Sequence, residues 1–451
     1  MCAIAAIEDD ELVQTDIKSA FLYGCMEPGE DVYLVPPKGI TLPGLKPRQV
    51  LKLRACLYGL KQAGRQWYQK LRDALRQIGF TRSQFDHAVF YQRLSPAEGS
   101  GTATIFCHVD DMGLKANKKY MPHLIAALRS RFKLSKGGQI HYLLGMHIEK
   151  RTISFSQSAY INRILTRYRF DEIRTVTTPM DPNVALSKEQ CTTSERQQEE
   201  MKNKPYREAL GTLMYASVGT RPDITYAVST LAKFSQNPGP THWTALKRVF
   251  AYLCGTQHYT LTLGGNSSPI LTGYCDSDGM SHPDRHPIAA YVFTIGGAIS
   301  WSSKRQDIVC LSTTEAEYIA LTHAAKEAIW LHHLLDEVFP KRFKLPITVY
   351  SDNQGAIALS KDDRFHTRTK HIDIRFHFVR QYVEDGTLSI TYLPTDRMLA
   401  DALTKALAGP QLTKLAGAIG LQTYKYQANC AFLVDMPARP TRRYQQSTQS
   451  S

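Results

Sequence analysis

Residues Thr102–Ala116 read TATIFCHVDDMGLKA, two short β-prone runs with Asp110 and Asp111 between them. Neighbouring carboxylates at a hairpin tip repel one another and raise their own pKa unless a cation sits between them. A divalent ion resolves that conflict, and hard oxygen donors suit Mg²⁺. An Asp-Asp turn is also ordinary surface chemistry, so the rest of the chain has to decide between the two.

Outward from this hairpin, 451 residues suggest about three domains at roughly 150 residues each. Hydrophobic residues make up 43%, enough for sizeable cores, which excludes wholesale disorder. The formal charge of +14 favours polyanionic partners, nucleic acid first and an anionic membrane surface second. No apolar run approaches the roughly 18 residues of a membrane span; Ile288–Trp301 is broken by Gly296 and Gly297 and reads as two strands and a turn. Acids at Glu8–Glu11 and the lack of a basic flank argue against a signal peptide, so an intracellular protein is expected. The nine cysteines are scattered, odd in number and without a CxxC pair, which argues against a disulfide framework or structural zinc.

Segment 1–170 mixes strand-like stretches at Glu11–Ile17 and Ala103–Val109 with a helical one at Arg65–Ile78. A polar stretch, 171–204, reads as a linker. Helical periodicity marks 205–267, with Arg221-Pro222-Asp223 starting one helix and Pro238–Pro240 separating it from the next. Segment 268–407 runs from strands to a long amphipathic helix and then alternates, which predicts an α/β or α+β layer with a mixed sheet. An extension, 408–451, ends in a polar, basic tail after about Pro437 that is expected to be disordered.

A second set of acids lies in the third segment. Asp276 closes the strand-like run LTGYCDSD, Glu315 opens the helix LSTTEAEY, Asp352 follows the strand ITVYSD, and Asp401 sits in LADALTK. Acids at two strand ends, a helix start and a later helix can converge over one edge of a sheet. Asp278 reads as solvated or as a local cap. The helix start offers two capping boxes, Ser312 with Glu315 and Thr314 with Glu317. With Thr314 as N-cap, Glu317 closes the helix end and Glu315 is free to face a metal; this is the expected arrangement. His366, His371 and His377 are not at zinc-ligand spacing.

The order QTDIKSAFL, LYGLKQ, HVDDM, HYLLG over about Glu11–Phe170 resembles the reverse transcriptases of copia-type retrotransposons. The order YCDSD, LSTTEAEYIAL, VYSDN, RTKHIDIRFHFVR, LADALTK over about Leu271–Leu407 resembles the ribonuclease H domain of the same polyproteins. The resemblance implies an α+β, α/β multidomain chain: a partial right-hand polymerase palm, a helical connection, and a ribonuclease H-like mixed-sheet domain. It further implies metals at Asp16, Asp110 and Asp111, and again at Asp276, Glu315, Asp352 and Asp401, with two Mg²⁺ ions per site or Mn²⁺ in their place. Phe21 falls where the family keeps a ring under the incoming sugar. Gly59, Lys61 and Gln62 fall along nucleotide and template, and Tyr142–Gly145 near the primer. Arg364, Arg368, Lys370, Arg375 and Arg380 form the substrate-side basic stretch, with phosphate contact or a solvated helix face as its two readings. In the connection, Arg221, Lys247 and Arg248 either track the hybrid or serve packing.

The implied partners are an RNA template, an RNA–DNA hybrid, primer and dNTPs, and other parts of the polyprotein, with no membrane. The implied place is a cytoplasmic element particle or the nucleus. There are departures from the family pattern. Gly64 stands where the family usually has Pro, which loosens the following helix start. Asp16 lies close to residue 1, so an N-terminally truncated palm without fingers is expected. TYLPTDRMLAD lacks the His that many ribonucleases H carry before the last Asp. The rival expectation is an inactive relic that only binds nucleic acid; a small-molecule phosphodiesterase is disfavoured by the charge.

Overall fold

The computed structural model describes residues 1–36, 39, 44, 46, 49–135, 138–139, 146–149, 152–265, 269–278, 286–361 and 373–423. A short helix, α1 (Cys2–Glu8), leads into β1 (Glu11–Asp16). A small exposed ribbon, β2 (Tyr33–Leu34) and β3 (Leu51–Lys52), precedes α2 (Ala63–Gln77). Then come β4 (Thr81–Arg82), β5 (Val89–Arg93), β6 (Thr102–His108), β7 (Asp111–Ala116), α3 (Met121–Arg129) and β8 (Gly138–Gln139). These strands form one antiparallel sheet in the order β4-β5-β6-β7-β1-β8. Trp67, Leu71, Ala74 and Leu75 recur on one face of α2 and pack with Leu124 and Leu128 of α3 against Phe90, Ile105 and Leu114 of the sheet. Each Leu, Ile or Phe among them contributes about 1.5–3 kcal/mol when fully buried.

A second sheet takes strands from distant parts of the chain. β9 (Met146–Glu149) pairs with β10 (Thr152–Ser156), which pairs with β11 (Tyr259–Gly264). Between β10 and β11 lie five helices, α4 (Ser158–Tyr168), α5 (Glu195–Lys202), α6 (Tyr206–Gly219), α7 (Thr225–Ala232) and α8 (Pro240–Gly255).

The third sheet holds β12 (Thr272–Ser277), β13 (Ile288–Thr294), β14 (Ala298–Arg305), β15 (Ile347–Ser351) and β16 (Leu388–Tyr392) in the order β14-β13-β12-β15-β16. Pairing is antiparallel across β12–β13–β14 and parallel across β12–β15–β16, the mixed sheet expected from the sequence. A long helix, α9 (Thr313–Val338), lies across β12 and β13, followed by α10 (Gln354–Leu359) and α11 (Asp373–Glu384). Last come α12 (Gly409–Ile419) and β17 (Leu421–Thr423), which returns to pair with β11.

The α+β, α/β multidomain expectation holds, but strand pairing crosses the boundaries drawn from the sequence. Residues 146–156, expected with the palm, and 421–423, expected in a C-terminal extension, share a sheet with 259–264 of the connection. The 171–204 stretch contains α5, whose Ser194 caps the Gln197 N–H, and Met201 of that helix is buried. The expected disordered tail, and Tyr142–Gly145, lie outside the described residues. No helix among the described residues is long and apolar enough to cross a membrane.

The first and third sheets each place a glycine opposite a phenylalanine close to their acids. Phe106 pairs with Gly113, and a Cβ on Gly113 would lie 2.1 Å from the ring. Phe293 pairs with Gly273, with a corresponding distance of 2.5 Å. The rings lie flat across the glycines, filling the space a side chain would occupy. Helix α9 also touches the turn between β4 and β5: the Glu337 carboxylate accepts from the Ser83 hydroxyl and from the Gln84 N–H at 3.0 Å, and Trp330 donates to the Phe85 carbonyl at 3.0 Å.

Candidate metal centre and palm acids

Parallel pairing of β12 with β15 puts the C-terminal ends of both strands side by side, and each carries an acid there. Asp276 is the second-last residue of β12, and Asp352 follows Ser351 at the end of β15. A 3₁₀ turn, Leu399–Leu403, packs over β12 and β13 and brings in Asp401. One carboxylate oxygen from each of Asp276, Asp352 and Asp401 lies within 4.8 Å of the others. Asp276 and Asp401 are buried and Asp352 is half-buried.

Hydroxyls and one ammonium hold these acids in place. Thr404 donates to Asp276 Oδ2, Thr395 donates to Asp352 Oδ2 at 2.6 Å, and Lys405 Nζ lies 2.8 Å from Asp401 Oδ1. Burial foremost, with Asp401 next to it, pushes the Asp276 carboxyl up to about 7. Burial also raises Asp401, against the pull of Lys405.

The α9 acid that turns toward these carboxylates is Glu317, whereas the expected Glu315 turns away from them. Ser312, with extended backbone, is the N-cap of α9; its hydroxyl accepts the Glu315 N–H at 3.1 Å, and the Glu315 carboxylate accepts the Leu311 N–H at 2.7 Å. The first capping box therefore forms, and it points Glu315 back at the loop. Glu317 turns toward the sheet, is 6% exposed, and has an Oε2 with no hydrogen-bond partner among the described residues. Burial, then Asp276 and Asp352, hold its carboxyl well above the usual range. A signal was available: Glu317, Leu321, Ala324, Ala328, Leu331 and Leu335 recur at helical spacing and are all buried.

Buried carboxylates that push one another toward protonation, one with a partnerless oxygen, form a hard oxygen donor set that fits a divalent cation. Asp278, expected solvated or as a cap, is buried and its N–H donates to the Ile288 carbonyl at 3.0 Å.

Several expected nucleic-acid contacts are placed elsewhere. Arg380 is 4% exposed on α11, which packs against α9, so it cannot present a solvated face to phosphate. Arg364, Arg368 and Lys370 lie outside the described residues, as do His366 and His371, and Arg375 is described only as part of the α11 backbone. Arg221 is fully buried: it grips Asp223 through two hydrogen bonds of 3.0 and 2.7 Å and lies near the rings of Tyr252 and Tyr259. Packing is thus its role. Arg248 donates to Thr178 Oγ1 at 2.9 Å and faces Asp181 at 3.6 Å.

In the first sheet, antiparallel register sets Asp16 opposite Asp111 at the end of the β1–β7 pair. The Ile17 N–H donates to the Asp110 carbonyl at 3.0 Å, and the Asp16 N–H to Ser135 Oγ at 3.0 Å. Asp16 and Asp110 are half-buried and Asp111 is exposed. These three share one sheet end, but among the described residues only Asp276, Asp352 and Asp401 form a trio with ligand atoms that close together. Phe21 sits in a 3₁₀ turn, its ring edge-on to Tyr58 at 4.6 Å. Gly59 has φ of +99°, in the left-handed region. Lys61 is exposed, and Gln62 caps α2 with its amide 3.4 Å from Glu30.

Residues 1–182 match the family model described as reverse transcriptase (RNA-dependent DNA polymerase). The chain is 40% identical over 412 residues to the Retrovirus-related Pol polyprotein from transposon TNT 1-94 of Nicotiana tabacum, covering 90% of this chain but 30% of that protein. It is 30% identical to the putative transposon Ty5-1 protein of Saccharomyces cerevisiae, covering 69% of this chain and 99% of that one. A foamy viral protease-reverse transcriptase solved with double-stranded DNA is similar at 14% identity and a TM-score of 0.47, over 85% of this chain and 57% of that one. These matches place the chain in the copia-type retrotransposon Pol polyprotein family, with a reverse transcriptase segment at its start.

Proposed function

We propose that this chain hydrolyses the RNA strand of RNA–DNA hybrids at Asp276, Glu317, Asp352 and Asp401. The carrying observation is the approach of three carboxylates to within 4.8 Å beside the buried, partnerless Glu317 oxygen. Two Mg²⁺ ions, or Mn²⁺ in their place, would there activate a water and stabilise the leaving oxygen. The chain's own part is to hold the acids: Thr404 and Thr395 orient Asp276 and Asp352, and the α9 first turn aims Glu317 inward.

The palm acids Asp16, Asp110 and Asp111 are the second half of the proposal, serving RNA-templated DNA synthesis on a primer with dNTPs. Phe21 and Gly59, with Lys61 and Gln62, would meet nucleotide and template. The net charge of +14 supports a polyanionic partner. Because the chain spans 30% of the TNT 1-94 polyprotein, the whole polyprotein's activities come to it only as proposals.

The test is of the first half. In Mg²⁺, cleavage of the RNA strand of a labelled hybrid is expected, and Asp352→Asn and Glu317→Gln each abolish it. Cleavage that survives Asp352→Asn sinks the assignment. Salt-dependent binding without cleavage by the unaltered chain points instead to an inactive nucleic-acid-binding relic.

A further inference from the structure

The acids of the nuclease cluster already face a cation belonging to the chain. Lys405 lies one turn beyond Asp401, its N–H reaching back to the Asp401 carbonyl at 3.4 Å, and this turn folds its ammonium onto the carboxylate. The Nζ–Oδ1 distance is 2.8 Å, and the Lys405 side chain is 39% exposed against 4% for Asp401. Its charge acts on Asp276 and on Glu317 as well as on Asp401, and is in turn acted on by Asp352. Asp276, by contrast, is held by a hydroxyl and Asp352 by another, neither of which neutralises charge. A half-exposed ammonium on a flexible four-carbon stem can swing into solvent at small cost.

We propose that Lys405 is the resident counter-cation of this cluster, which must leave Asp401 for a divalent cation to load. This rests on the metal-site reading above and adds to it what the site does when empty. Lys405 keeps four crowded acids compatible with a folded domain, and by the same charge it competes with the incoming ion. Its effects on fold and on loading therefore have opposite signs, which a merely structural lysine would not show.

The experiment is Mn²⁺ binding to the full chain by calorimetry, without nucleic acid, together with melting in chelator. K405Q is expected to bind Mn²⁺ about fivefold tighter, the equivalent of a partly exposed ion pair, and to melt lower than the unaltered chain in chelator. K405R is expected to match the unaltered chain in both. Unchanged or weaker Mn²⁺ binding by K405Q overturns the proposal.

D352N provides the control on the underlying reading and is expected to weaken Mn²⁺ binding. If D352N weakens binding and K405Q does not tighten it, Lys405 alone is misassigned. If D352N has no effect, the metal site itself is wrong and the proposal falls with it. Should K405Q not fold, the side-chain resonance of Lys405 in the unaltered chain, assigned with K405R, is followed during Mg²⁺ titration. It should shift and saturate with the ion, and a stationary resonance overturns the proposal.

Discussion

Trp67 donates its indole N–H to the carbonyl of Val109 at 2.6 Å, so that α2 holds the tip of the hairpin carrying Asp110 and Asp111. Val109 needs holding: it is β-branched, 44% exposed, and has φ of 61°. That conformation costs a side-chain-bearing residue about 1–2 kcal/mol. Trp67→Phe keeps a ring in the core and loses the N–H. It should cost about 1 kcal/mol in urea unfolding and reduce primer extension while leaving hybrid hydrolysis intact. Val109→Gly should not lower stability, and a clear loss would show that the valine side chain packs usefully.

The two glutamates of the α9 first turn make opposite predictions. Glu315→Ala removes half of a capping box and should cost about 1 kcal/mol without abolishing hydrolysis. Glu317→Gln should abolish hydrolysis yet raise stability in chelator, because it removes the charge of a buried carboxylate whose Oε2 has no hydrogen-bond partner among the described residues. Reversed outcomes would restore Glu315 to the metal.

Asp276 makes metal-free stability depend on pH. Its carboxyl is raised to about 7 in the folded chain, so the folded state favours the protonated form. That contribution is fully present below the ordinary carboxylate value near 4 and is lost as pH rises through about 7. Melting in chelator should therefore fall between pH 4 and 7 as far as this group is concerned, and Asp276→Asn should flatten the slope. At pH 8 the variant should melt about 3 °C or more above the unaltered chain; equal melting would show that Lys405 and its neighbours already compensate the charge.

His242 predicts the opposite slope. It is fully buried on α8, stacked on Phe234 at 3.9 Å, accepts the Gly239 N–H at Nδ1, and is held below its usual value by burial. Its neutral form is the folded one, so its contribution is complete above the ordinary value of 6.5 and is lost as pH falls through the lower folded value. His242→Gln keeps an acceptor at the third helical position and should remove that acid-side loss in melting curves.

Glu337 docks α9 on the turn at Ser83 and Gln84. Glu337→Ala leaves both donors without this acceptor and should cost about 1–3 kcal/mol in urea unfolding. An unchanged transition would mean that Trp330 and Phe85 suffice.

The strand-end acids were legible because a strand followed by an acid is local information: Asp16, Asp111, Asp276 and Asp352 all lie at strand ends as read. Glu317 was missed because two overlapping capping boxes are equally good locally, and only packing of α9 on β12 and β13 chooses between them. Arg221 and Arg380 look like solvated cations in the sequence, since nothing local announces that the rings of Tyr252 and Tyr259 or the α9 face will cover them. The strand pairings that cross the drawn limits were hidden for a similar reason. Pairing of residues 152–156 with 260–264, and of 259–261 with 421–423, links segments that no window of neighbouring residues contains.

That shared sheet also sets an order in time. A ribosome makes β10 and β11 long before Leu421–Thr423, and until those residues emerge one edge of β11 is an open row of N–H and C=O groups. Neighbouring nascent chains on one messenger present the same edge, each a template for the other. A premature stop just short of Leu421 should therefore yield an aggregating product rather than a shorter folded chain, even though every acid of the cluster has already been translated.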